Sequence, residues 1–166
     1  GLVVAGGTAY AAVRALTTDQ TASIDVWNQL SANNPAGACS LDPSDGQLVA
    51  STRYQGRTIQ YWTFDSAAAH ADVVFEDDEG GGGGGCSTGS RSVAHPELPW
   101  ADYLLAVDGS GSTFTVFGQA PLGSTEAEIE FNNGTLTAEV EPNGYFVVVG
   151  VLPTLPDDTL ISVVAR

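Results

Sequence analysis

The sequence predicts an all-β chain folded as a sandwich, on three observations. Short runs rich in β-branched and aromatic residues recur along it, Gly, Pro, Asn or Asp separates them, and no long amphipathic helical pattern interrupts them. With 166 residues and 43% hydrophobic content the chain can bury a real core. We therefore expect an apolar N-terminal segment over 1–20 and one β-sandwich domain over 21–166, with a glycine-rich loop near 80–85.

SIDVW at 23–27 reads as a short strand, and LVASTRYQGRTIQYWTF at 48–64 as a hairpin turning at Gln55 and Gly56. ADVVFE at 71–76 follows. Then come DYLLAVDG, STFTVFG, TEAEIEF, GTLTAEVE, GYFVVVGVL and TLISVVA, whose even spacing suits a sandwich of immunoglobulin-like or jelly-roll type. GYFVVVGVL is apolar throughout, as a strand covered on both faces would be. Pro96 and Pro99 keep HPELPW extended, and the DGSGS run at 108–112 suits a hairpin turn.

One hairpin can be read residue by residue. With Asn133 and Gly134 as a type I′ turn, Phe131, Ile129 and Ala127 face Leu136, Ala138 and Val140 on an apolar side. The other side opposes Glu128 with Glu139 and Glu126 with Glu141, pairs unfavourable by roughly a few tenths of a kcal/mol each. A divalent cation such as calcium, arginines from a neighbouring subunit, or high salt would relieve them; otherwise the side chains splay into solvent. Asn133-Gly134-Thr135 is also a glycosylation sequon, although the turn alone explains Asn-Gly here.

A net charge of −15, with no lysine and five arginines, sets aside nucleic acid and anionic membrane surfaces as partners. Such a composition suits an exported protein of a high-GC or salt-adapted microbe. The chain's two cysteines, Cys39 and Cys86, sit among loop-forming residues and read as a loop-to-loop disulfide, hence an oxidising compartment; two buried thiols are the alternative.

The stretch EDDEGGGGGGCSTG at 76–89 is the most unusual. A phosphate cradle needs a lysine and a hydroxyl residue after its glycines, and here the glycines run into Cys86. A calcium loop needs alternating ligands, whereas Glu76, Asp77, Asp78 and Glu79 are contiguous. A solvated loop tethered by the disulfide, or a glycine strand packed closely on a neighbour, fits better.

Nucleophilic chemistry finds few candidates. His70 and His95 are the only histidines, and no Gly-x-Ser-x-Gly occurs. A metal site of His70, Asp72 and His95 is conceivable, since His-x-Asp places both side chains on one face of a strand, but the expectation is two ordinary loop histidines. Trp27, Trp62, Trp100 and Tyr61 suit either a sugar-binding surface or a core. We expect no enzyme and no required cofactor.

GLVVAGGTAYAAVRAL opens the chain with 13 uncharged residues before Arg14, fewer than the roughly 18 that cross a bilayer. A strand, a helix over 9–16, and the end of a signal peptide or membrane anchor are all compatible with it; Ala9-Tyr10-Ala11 has the small-x-small form of a signal peptidase site. Exposing it to water would be unfavourable by several kcal/mol at roughly 25 cal/mol per Å². Something must cover it, with Leu2, Val3, Val4, Tyr10 and Val13 as the subunit-contact residues.

The last third of the chain, TFTVFGQAPLGSTEAEIEFNNGTLTAEVEPNGYFVVVGVLPTLPDDTLISVVAR, resembles the C-terminal extracellular immunoglobulin-like β-domain of secreted or membrane-anchored proteins of high-GC bacteria. The likeness lies in its G-x-A-P-x-G, its N-G-x-F and its proline-led last strand. It implies a surface location and assigns no catalytic residue. Two functions are expected. One is a structural subunit of an extracellular, pilus-like filament, a homopolymer assembled by insertion of the N-terminal segment into a neighbour as a donor strand. The other is a membrane-anchored extracellular domain that senses or binds a ligand, attached to the cell envelope.

Overall fold

The computed structural model describes residues 15–33, 39–76, 82–88, 97–108, 111–131, 134–152 and 162–166. The chain divides into two compact units, Gly1–Ala94 and His95–Arg166, where the sequence suggests one sandwich over 21–166. The fold is mostly β, with antiparallel sheets and one described helix.

In the first unit, helix α1 (Thr18–Ala32) packs on a four-stranded antiparallel sheet of β1 (Gly46–Tyr54), β2 (Arg57–Asp65), β3 (Ala69–Glu76) and β4 (Gly82–Thr88), ordered β1-β2-β3-β4. The helix corrects the expectation of a strand over 23–27. Its start is a capping box: Thr17 Oγ1 accepts from the Gln20 amide at 3.2 Å, and Gln20 Oε1 accepts from the Thr17 amide at 3.1 Å. Ile24 and Trp27 then meet Leu48, Trp62, Phe64, Val73 and Phe75 on one face of the sheet. Gln20 is fully buried there; its Nε2 donates to Gln60 Oε1 at 2.9 Å, which also accepts from Trp62 Nε1 at 3.0 Å. The β1–β2 turn falls at Gln55 and Gly56 as expected, both at positive φ (49° and 83°), the conformation of a two-residue hairpin turn.

The glycine run continues the sheet. Gly82 to Gly85 pair with Phe75 to Asp72 of β3, and a Cβ at Gly82 or Gly84 would run into the carbonyl oxygen of Val74 or Asp72. The close approach explains Gly82 and Gly84 but not Gly85, where a Cβ would meet nothing, and of the two readings of this stretch the packed strand is the one formed. Cys86 in β4 is bonded to Cys39, with Cα atoms 6.2 Å apart.

The second unit is the sandwich. One sheet is β5 (Trp100–Asp108), β6 (Gly111–Gln119) and β9 (Tyr145–Leu152) in the order β5-β6-β9; the other is β7 (Glu126–Phe131), β8 (Gly134–Glu139) and β10 (Ser162–Ala165) in the order β10-β7-β8. The chain changes sheet between β6 and β7, β8 and β9, and β9 and β10, the immunoglobulin-like pattern. Phe114, Val116 and Phe146 from one sheet interleave with Ala127, Ile129, Phe131 and Ala138 from the other, and the Phe114 and Phe131 rings lie 5.4 Å apart.

The β7–β8 register corrects the residue-level reading. Phe131 pairs with Gly134, so Glu126 opposes Glu139 while Glu128 opposes Thr137, and only one glutamate pair is directly opposed. The displacement is two residues, which keeps Ala127, Ile129 and Phe131 on the core face; a slip of one would have turned them out.

The Cys39–Cys86 bond generates the first prediction. Replacing both cysteines with serine should lower stability by about 4 kcal/mol in the loop-entropy description, read as the urea midpoint. Alkylation of the unreduced, denatured protein should label neither cysteine; labelling of both would refute the bond.

Candidate functional site

Three places concentrate chemistry. The first is an apolar groove of about 290 Å³ lined by Ser23, Ile24, Val26, Trp27 and Leu30 of α1, Val73 to Phe75 of β3, and Gly82 and Gly83. Three contacts fix the helix above it. Trp27 Nε1 donates to the Cys39 carbonyl at 3.2 Å, Asn28 Nδ2 donates to the Leu41 carbonyl at 2.8 Å, and the Leu41 amide donates to Asn28 Oδ1 at 2.7 Å. Val26 and Leu30, one turn apart, remain 54% and 67% exposed at its rim. Sequence reasoning missed this site because it missed the helix, although Thr17-x-x-Gln20 is a capping signal.

The second place is on the opposite face of the same sheet. His70, 6% exposed, stands between two carboxylates: Nδ1 lies 2.5 Å from Asp65 Oδ1 and Nε2 3.2 Å from Asp72 Oδ2, while the Tyr61 hydroxyl donates to Asp72 Oδ1 at 2.5 Å. Both ring nitrogens donate only in the imidazolium. The hydrogen bond to Asp72 raises the His70 pKa above its ordinary 6.5, with help from Asp65 and against the effect of burial. The expected His70–Asp72 proximity is present, as a direct contact between ring nitrogen and carboxylate; His95 lies outside the described residues.

The third place is the glutamate face. β7 and β8 bring Glu126, Glu128 and Glu139 together, with Glu141 just past the end of β8. Arg166 of the same chain, following β10, reaches Glu126 at 3.8 Å and Glu128 at 3.6 Å. Burial, then repulsion from Glu139, raises the Glu141 pKa. Among the described residues no group of three or more His, Cys, Asp or Glu is arranged to hold a metal ion.

Trp62 and Tyr61 are fully buried and point to opposite faces of the sheet, so the two rings form no shared sugar platform. Leu2, Val3, Val4, Tyr10 and Val13, with Asp77 to Glu79 and Asn133, lie outside the described residues. Among the described residues no helix is long and apolar enough to cross a membrane. Comparison with protein-family models, curated proteins and solved structures finds no match.

Two predictions follow from these charges. The His70 contribution to stability is fully present below about pH 6.5 and is lost as pH rises through the raised folded-state value. Asp65→Asn should flatten this alkaline decline in urea midpoint, and an unchanged profile would refute the role of the pair. Arg166→Gln should lower the melting temperature at low salt, by less than about 1 kcal/mol equivalent, with the difference fading in high salt.

Proposed function

We propose that this chain is a non-catalytic structural subunit of an extracellular filament, in which the apolar N-terminal segment of one copy inserts as a strand into a neighbouring copy. The observation that carries the reading is the character of β4. Natural sheets protect an edge with charges, prolines or bulges. Among the described residues β4 has β3 as its one neighbour and presents glycine at 82–85, without a protecting side chain. A bare backbone ladder is what strand addition requires. The disulfide supports an oxidising compartment outside the cytosol.

A second reading, an extracellular ligand-binding domain anchored in the membrane, is favoured by the capping box at Thr17. It starts a helix shortly after the apolar stretch in sequence, as suits a segment held in a bilayer. Removing residues 1–14 separates the two. Leu16 packs in the core and Thr17 caps the helix, so both stay in the shortened chain. Fibres of the full chain in electron micrographs, and a folded monomer after truncation, are expected. A full chain that runs as a monodisperse monomer in detergent-free buffer refutes the filament and leaves the anchored domain.

A further inference from the structure

We propose that the groove between α1 and the β3–β4 edge is the seat for residues 2–13 of a second copy, an assignment that rests on the filament reading. The groove's chemistry narrows its occupant. Among the described residues, the ten that line it carry no charge, on a chain of net charge −15. Its hydroxyl, Ser23, donates to the Asp19 carbonyl at 3.2 Å. About 290 Å³ lies at the lower edge of the roughly 300–1,000 Å³ of small-molecule sites, and among the described residues no set of polar groups converges there to orient a cofactor. An apolar peptide needs only volume and a backbone ladder.

The N-terminal stretch has the matching properties. It is uncharged up to Arg14, and in an extended strand Leu2, Val4 and Tyr10 share one face. The helix side of the groove, Ser23 to Leu30, is about 10 Å long at 1.5 Å per residue. Extended, Leu2 to Tyr10 covers about 26 Å at 3.3 Å per residue, enough to run along β4 while the larger side chains enter below Val26 and Leu30. Glycine at 82 and 83 leaves this stretch of the edge without side chains that would hold a strand away.

The test uses the full chain with benzoylphenylalanine introduced at position 30, mixed with an equal amount of isotopically heavy, otherwise unmodified chain and irradiated. Mass spectrometry should join the light position 30 to heavy residues 2–13. In parallel, Val26→Glu with Leu30→Glu, both at exposed positions, should raise the critical concentration for assembly at least about tenfold, with circular dichroism unchanged. Fibres whose cross-links avoid residues 2–13, or whose critical concentration ignores the paired substitutions, overturn this seat and leave the filament standing. Cross-links to residues 2–13 confined to single copies, in a monomeric protein, overturn both.

Discussion

The four glycines of β4 contribute no side chain to the core, so this strand depends on its backbone ladder to β3 and on Cys86, which packs against the core and is bonded to Cys39. Glycine loses more conformational freedom on folding than any other residue, and ordering such a strand opposes folding. The disulfide offsets this by restricting the unfolded chain. Its other end is equally anchored: Cys39 and Leu41 are held to α1 through Trp27 and Asn28. Helix, crossing segment and glycine edge are thus linked, and the groove opens between the helix and the β3–β4 side of the sheet.

The same unit shows how polar groups can position apolar ones. α1 buries a narrow apolar stripe, Ile24 with part of Trp27, next to Leu16 ahead of its cap, and a stripe that narrow specifies its place weakly. The buried amide of Gln20 supplies the register by donating to Gln60 Oε1, which the Trp62 indole of the same strand also holds, because a displaced helix would break this buried hydrogen bond. On the opposite face the Asp65–His70–Asp72–Tyr61 group ties β2 to β3 through titratable polar contacts instead. That face therefore responds to pH while the helix face responds to packing.

The sandwich handles charge with its own chain. Glutamates along β7 and β8 would repel one another across the pair, and the antiparallel addition of β10 brings Arg166 beside Glu126 and Glu128. The arginine expected from a neighbouring subunit is supplied from within. Exposed ion pairs of this kind stabilise by little, so the arrangement moderates a strained face rather than building the fold.

Much of the β architecture was legible because its signals are local: alternation in TEAEIEF, the Gln55-Gly56 turn, and punctuation between short apolar runs place most strands near their observed positions. Alternation also determines which side of β7 faces the core, and survived a two-residue error in register because face has period two. What sequence pattern could not decide depends on distant partners. SIDVW carries β-branched and aromatic residues in a helix, since the cap at Thr17 and the amide of Gln60, 40 residues from Gln20, outweigh local propensity. Composition alone determined an acidic, disulfide-capable β protein with an apolar N-terminal stretch. Only the tertiary structure decided that the glycines form a strand and that a groove opens beside them, because both require β3, α1 and Cys39 to converge from separate parts of the chain.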